Sequence, residues 1–447
     1  MYIARQPISK SIVQYHFSHV LQGLFLNTSS TTQHARELIA WAFLPMMMGA
    51  IEGGVVGVLT KRMFEGVVEQ ATLDWSVASL TAAQGFASIS SFLWAAFSHG
   101  RHKIRFITAL KIACVILVGA VAFVPQTGFG LGLLLFCVIG TRVCYTGIVT
   151  LRTTVWQANY PRTNRAFVAG RIATVQALVL AAVSFGVGEA MDLNENAIRW
   201  VYPVAASFGV LGAWVYSKIH VRGHKELLTD ERNSPHLVSF LPWKTFGLLF
   251  EDKPFARYMA CQFVFGVGNL MLTAPLVIIL SDQFDLGYLG EILIVSTIPI
   301  LMIPISTLFW AKLLDKMHVL SFRSIHSWFF VVSSLCIGIS IATHSVWGLW
   351  AGAAIRGIGF GGGVLAWNLG HQDYAPVEQS GRYMGLHVTL TGIRGLLAPA
   401  FGMAMYSYLI SRGFQAGPIV FYAGASLSAI GGIGFIFLAK ARLSSKK

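Results

Sequence analysis

The sequence predicts an all-α membrane protein of about twelve transmembrane helices, arranged as two pseudo-symmetric six-helix bundles. Three observations carry this expectation: too little charge for a water-facing surface, apolar runs of spanning length, and a one-sided distribution of lysine and arginine. Of the 447 residues, 55% are hydrophobic and 12% charged, with a mean hydropathy of +0.63. Soluble domains carry about 25% charged residues, because their surface must be solvated. So little charge places the chain in a bilayer before any motif is read.

A helix that crosses the hydrocarbon core needs about 20 mostly apolar residues. Segments that qualify run over 38–60, 75–97, 104–124, 128–150, 168–190 and 200–219, then 255–281, 287–311, 322–343, 346–369, 383–409 and 417–440. The polar stretch from Lys218 to Pro254 divides them into two sets of six. The expected organisation is an N-terminal segment 1–37, a bundle 38–219, a central loop 220–254, a second bundle 255–441 and a basic tail 442–447.

Basic residues set the orientation. With the N-terminus inside, only Lys61, Arg62, Arg199 and Arg412 fall in outer loops. Lys111, Arg142, Arg356 and Arg394 fall within helices, and the rest of the 33 Lys and Arg lie on the inner side. Both termini are therefore expected in the cytoplasm, and the net charge of +14 reflects topology rather than nucleic-acid binding. The five cysteines sit in apolar stretches without a CxxC spacing. They read as small buried hydrophobes, with no disulfide framework and no metal site.

Residues 1–37 lack the apolar core of a cleavable signal. Ile8, Ile12, Val13, Phe17, Val20, Leu21 and Leu24 recur at helical spacing, which suits an amphipathic helix on the inner leaflet. A partly ordered tail is the alternative. A multi-pass protein of a cell (inner or plasma) membrane is expected.

The halves are related by an internal repeat. Sliding the chain so that Pro161 falls on Pro376 also brings Gly170 onto Gly385. The same shift lays Ala96–Arg101 on Ala311–Lys316 and brings Arg142 within one residue of Arg356.

With these features the sequence resembles the major facilitator superfamily over roughly residues 38–441. That family's second-to-third loop reads Gly, three residues, Asp, then Arg or Lys. Ala311-Lys312-Leu313-Leu314-Asp315-Lys316 matches it, with Ala in place of Gly. In the first half Gly100 stands where the Asp would be, while Arg101 and Lys103 keep the basic part. Arg142 followed by Gly147, and Arg356-Gly357-Ile358-Gly359-Phe360-Gly361, look like the family's fourth-helix pattern. Gly392, Gly395, Pro399 and Gly402 resemble its gating-helix motif. Arg101, Lys103, Asp315, Lys316, Arg165 and Arg382 are the expected gating-loop residues.

The resemblance implies a monomeric secondary transporter that moves a small-molecule substrate by alternating access. It also implies a cavity lined by helices one, four, seven and ten, which here carry Glu52, Arg142, Gln262, Asn269, Arg356 and Asn368. Charged residues deep in a bilayer cost roughly 2.5–3.5 kcal/mol on insertion scales, so they are questioned first. Glu52 lies about 21 Å into the first helix at 1.5 Å per residue, among Gly49, Gly53, Gly54 and Gly57. It reads as a proton-coupling or substrate-binding carboxylate, with a structural ion pair as the alternative. Arg142 is the partner to test. His387 and Arg394 on the eleventh helix complete the pathway residues. Three deep arginines and Lys111 against one deep carboxylate favour an anionic solute.

Asp192, Asp282, Glu189 and Asp285 read as solvated helix ends. Gln84, Gln176 and His344 read as interhelical hydrogen bonds, and Trp156, Trp200, Trp243, Trp310, Trp347 and Trp367 as interfacial anchors. No GxxxxGK[ST], HExxH or GxSxG pattern occurs, so neither an enzyme nor a cofactor is expected. A non-transporting sensor or assembly protein, favoured by the departure at Gly100, is the alternative function.

Overall fold

The computed structural model describes residues 31–160, 162–233, 246–375 and 380–444, and their side chains except at 31–34, 157, 162–170, 227, 230 and 380–382. The proposed amphipathic segment before residue 31 lies outside the described residues. Among the described residues, twelve helices are long and apolar enough to cross a membrane. They are α1 (Ala35–Phe64), α2 (Gln70–Ser98), α3 (Lys103–Phe123), α4 (Gly128–Trp156), α5 (Arg171–Leu193), α6 (Glu195–Ser217), α7 (Lys253–Gln283), α8 (Gly287–Leu314), α9 (Val319–Ala342), α10 (Val346–Asp373), α11 (Tyr383–Ser411) and α12 (Ala416–Ser444). Each expected span has its counterpart. Several run a turn or more beyond the apolar window, because polar residues at the ends stay helical. The central stretch is not all loop: HKELLTDERN forms a helix over His224–Asn233, and Leu248–Glu251 a single turn.

Packing repeats between the halves. α1, α3 and α4 engage α6, α6 and α3, and α7, α9 and α10 engage α12, α12 and α9 in the same way. The repeat extends to one side-chain arrangement. The Trp94 indole on α2 donates to the Val143 carbonyl on α4 at 2.9 Å, and Trp310 on α8 donates to the Ile358 carbonyl on α10 at 2.8 Å. One turn beyond each carbonyl a glycine admits the ring: a Cβ on Gly147 would stand 2.9 Å from Trp94, and one on Gly362 3.0 Å from Trp310. Trp310 is therefore a core residue, 1% exposed, rather than an interfacial anchor. Trp156 is buried as well, and its indole is committed to Glu37. Trp200 and Trp347, 53% and 83% exposed, are placed as anchors would be.

The halves meet along α1 with α7, α5 with α8, and α2 with α11. At the last seam two backbones touch, since a Cβ on Gly85 would stand 2.8 Å from the Gly395 Cα. That close approach gives the glycine pattern of α11 a packing reason.

Both first helices of the halves are interrupted. In α1 a 3₁₀ turn over Gly49–Ile51 leads to Glu52, whose backbone is extended (φ −57°, ψ 142°), and the helix restarts at Gly53. In α7 a turn at Met271 and Leu272 separates Leu270 from Thr273. Interrupted helices leave carbonyls and amides that need partners in a bilayer. At the break of α1 those partners are Glu52 and Arg142, two charged residues that the sequence singles out.

Candidate functional site

Glu52 lies at the interruption of α1 and not inside a continuous helix. Its carboxylate caps the restarted segment, accepting from the amides of Gly54 at 2.9 Å and Val55 at 3.3 Å. Ser296, on α8 of the other half, donates to the same oxygen at 2.7 Å. Ser184 on α5 stands 3.4 Å from Ser296, which extends the chain of hydroxyls. Ser296 belongs to a π-helical stretch, Leu293–Thr297, a local widening that often accompanies function.

Each half sends an arginine from its fourth helix to the interruption in its first. Arg142 donates to the Ile51 carbonyl at 2.5 Å and to Gln84 Oε1 at 2.9 Å. Arg356 donates to Thr273 Oγ1 at 3.0 Å. Among the described residues no ion pair joins Glu52 to either arginine. Glu52 is nonetheless an electrostatic neighbour of both. A cavity of about 200 Å³ opens beside the interruption, lined by Pro45, Met48, Tyr145, Gln176, Leu180 and Ile300 among others.

The other expected pathway residues separate into two places. Asn269 is half-buried near the interruption of α7. Asn368 is exposed and donates to the Val364 carbonyl of its own helix at 2.8 Å. Gln262, His387 and Arg394 gather elsewhere, inside the C-terminal half, where Arg394 donates to the Gln262 carbonyl at 2.8 Å. Lys111 is not near the seam either. It lies in the N-terminal half with its ammonium 4.1 Å from the Tyr216 ring and 5.0 Å from Trp41.

Even spans put the chain before α1 and after α12 at one end, here the basic end. At the opposite end the halves are latched. Lys61 pairs with Asp282 at 2.7 Å. Arg62 holds one oxygen of Glu291 through Nε at 2.9 Å and Nη2 at 2.5 Å. Asp192 on α5 caps the start of α8, accepting from the amides of Tyr288 at 2.7 Å and Leu289 at 2.9 Å. Asp192 and Asp282 are exposed, as solvated helix ends would be, and they also bridge the two halves. Glu291, fully buried, was missed by the sequence reading; its signal was an acid in an otherwise apolar run, facing the outer side's paired Lys61 and Arg62. Among the described residues, every ion pair between the two bundles lies at this end.

At the basic end the second-to-third loop explains its own departure from the family pattern. Gly100 occupies the left-handed region at φ +65°, which glycine adopts without steric cost. The carboxylate comes instead from Glu231 on the helix His224–Asn233. It accepts from the Gly100 amide at 2.7 Å and from Lys103 Nζ at 2.7 Å. The His224 ring rests 4.1 Å from that of His102, and partial burial together with His224 lowers the His102 pKa. Arg101 stays exposed over the Phe106 ring at 6.0 Å, and Asp315 and Lys316 are exposed. The side chains of Arg165 and Arg382 lie outside the described residues. Glu231→Ala should free the polar helix: hydrogen exchange of its amides is expected to rise about tenfold or more, the loss of one charged, partly buried anchor. Unchanged exchange would remove Glu231 from this role.

The chain spans less than a fifth of the length of the curated relatives it matches. It is 32% identical over 110 residues to the MFS-type transporter TwmF of Talaromyces wortmannii, covering 25% of this chain and 18% of that one. It is 28% identical over 105 residues to the MFS-type transporter gkaD of Penicillium citrinum, covering 24% and 17%. The family model described as Major Facilitator Superfamily matches residues 179–399. The chain belongs to the major facilitator superfamily. Its fold is that of solved members. A variant of the nucleoside transporter NupG aligns with TM-score 0.71 at 10% identity over 91% of this chain and 100% of that one. A POT family transporter in complex with 5-aminolevulinic acid gives 0.66 at 15% identity, covering 91% and 96%. The xylose transporter XylE from E. coli gives 0.62 at 10% identity, covering 90% and 95%.

Proposed function

We propose that this major facilitator superfamily protein is a proton-coupled secondary transporter of a small, anionic organic solute, with its basic end in the cytoplasm of an inner or plasma membrane. The observation that carries the reading is Glu52: a carboxylate at an interrupted helix, hydrogen-bonded across the seam to Ser296. A group shared between halves feels any rocking of one half against the other, and alternating access needs such a group at mid-depth. Arg142 and Arg356, the charged neighbours of Glu52, supply the positive field for an anion. The latches at the outer end suit a state open toward the basic end. The departure at Gly100, which favoured a non-transporting member, is met by Glu231 and no longer argues for one. The similar solved structures are of a nucleoside transporter, of POT family transporters with a thioalcohol-conjugated peptide or 5-aminolevulinic acid, and of a xylose transporter, so the fold alone does not choose the solute.

The test is uptake into proteoliposomes of a panel of organic anions and cations, with and without an inward proton gradient, for wild type and Glu52→Gln. Gradient-driven anion uptake by wild type, lost in the variant while exchange without a gradient persists, is the expected result. Gradient-driven uptake that survives Glu52→Gln would move coupling to another group. Uptake of cations only would overturn the anionic reading.

A further inference from the structure

Three helices of the C-terminal half bring buried polar side chains into one cluster, apart from the seam. α7 presents Tyr258, Gln262 and Gly266, one residue per helical turn. α9 presents Arg323 and His326, and α11 presents His387 and Arg394, two turns apart. Arg394 donates to the Gln262 carbonyl at 2.8 Å, and its guanidinium lies directly on Gly266, where a Cβ would collide with it. Arg323, 2% exposed, lies beside Tyr258 and the Phe265 ring and 3.3 Å from His326 Nδ1. His326 is committed on its other side, Nε2 to the Gly359 carbonyl at 2.7 Å, so its Nδ1 accepts from Arg323 and the ring is neutral. His387, 1% exposed, has Arg394, Arg323 and His371 as its charged neighbours.

The inventory of this cluster is unbalanced. Neither arginine has an ion-pair partner among the described residues. Arg323 Nε, Arg394 Nε, both ring nitrogens of His387 and Gln262 Oε1 are buried without hydrogen-bond partners. Two guanidiniums held away from water without a counter-charge are costly, and α7 could have carried a carboxylate where it carries Gln262. The N-terminal half makes the contrast: its buried Arg152 and Lys111 share their cluster with Glu37. A guanidinium matches the two oxygens of a carboxylate or phosphate with two parallel N–H groups. An imidazole adds a further donor.

We propose that this cluster is a binding site for a small oxyanion, a carboxylate or a phosphate group, held by Arg394 and Arg323 with His387 as an additional donor. It is separate from the Glu52 seam and goes beyond the transport reading, because its three donors stand on α9 and α11 within the C-terminal half. Trp367 on α10, half-buried, borders the cluster: its ring lies 5.5 Å from His387 and its indole donates to Thr391 at 3.3 Å.

The experiment is thermal unfolding of the full chain in lipid nanodiscs, titrated with sodium phosphate, sodium acetate or sodium chloride at matched ionic strength. A saturable rise in Tm of about 3 °C over chloride is expected at hundredfold excess over the dissociation constant. Phosphate alone, acetate alone, or both giving the rise identifies the oxyanion chemistry. Saturation separates the site from the general stabilisation that excluded salts produce. In Arg394→Gln the saturable rise should vanish, and in Arg394→Lys it should weaken about tenfold in affinity. If Arg394→Gln does not fold, His387→Asn takes its place, with a weakened rise expected. Glu52→Gln should keep the full rise, so that failure of the seam reading and failure of this one are told apart. Equal unfolding in the three salts, or a saturable rise that survives both Arg394→Gln and His387→Asn, would overturn the proposal.

Discussion

Glu291→Ala is expected to release the end of the molecule that α1 and α8 now hold together. The carboxylate is fully buried, takes both Arg62 contacts on one oxygen, and leaves its other oxygen buried without a partner. Removing one member of a buried pair costs up to about 3–5 kcal/mol, the full amount only where the charge left behind stays buried. Alternating states of such proteins differ by only a few kcal/mol, so a loss confined to the latched state inverts the populations. Spin labels on Glu69 and Asp285, exposed residues of opposite halves at this end, report the change in a cysteine-free background. Wild type should give one short distance, and Glu291→Ala a dominant longer one. The two single variants are not equivalent. The Arg62 side chain is 20% exposed and can be hydrated when its partner is lost, whereas Glu291 is 0% exposed and would be stranded. Arg62→Ala should therefore lower Tm more than Glu291→Ala. An unchanged distance in Glu291→Ala would assign the latch to Lys61 with Asp282 and to the Asp192 cap.

The contrast between Glu52 and Glu291 shows where sequence reading succeeds and where it stops. Span number and order follow from apolar length, which is a local property of the chain. Glu52, Arg142 and Arg356 stand out because each interrupts an apolar window near its centre. That α1 breaks at Glu52 was not legible, although the glycines around it allow it. A break in a bilayer needs donors and acceptors from other helices, and Arg142 and Ser296 are 90 and more positions away. Glu291, Arg152 and Arg323 fall within two turns of a span end, where they read as part of a loop. Asp192 and Asp282 read as solvated for the same reason. Their partners lie in the opposite half, and nothing local in the sequence announces a latch. The repeat was legible only through loop residues. The tighter correspondence, Trp94 with Gly147 against Trp310 with Gly362, needed the packing to be seen.

Arg356→Gln is expected to reduce anion uptake by at least about tenfold, through loss of a positive charge that reaches Thr273 and is an electrostatic neighbour of Glu52. Two roles compete for this residue, and they predict different companion results. If the guanidinium serves only to hold the restart of α7, its contact to Thr273 Oγ1 at 3.0 Å is what matters. Thr273→Val, which removes the hydroxyl and keeps the shape, should then reproduce the loss. If the charge serves the solute, Thr273→Val should cost little, because a charged hydrogen bond to a hydroxyl contributes about 1.5–3 kcal/mol only when nothing replaces it. The remaining N–H groups of the guanidinium are the replacement at hand. Arg356→Lys separates charge from shape: it keeps the field and loses the planar fork, so uptake should fall less than in Arg356→Gln, with the loss in KM rather than in maximal rate. Arg142 provides the control within the same molecule. It is bound to the Ile51 carbonyl and to Gln84, so Arg142→Gln strips a backbone acceptor at the break of its only strong donor. That variant should lose stability as well as uptake, whereas Arg356→Gln should lose uptake at nearly unchanged Tm. Comparable losses of Tm in both would place Arg356 with Arg142 as a brace of an interrupted helix and not as a contact for the solute.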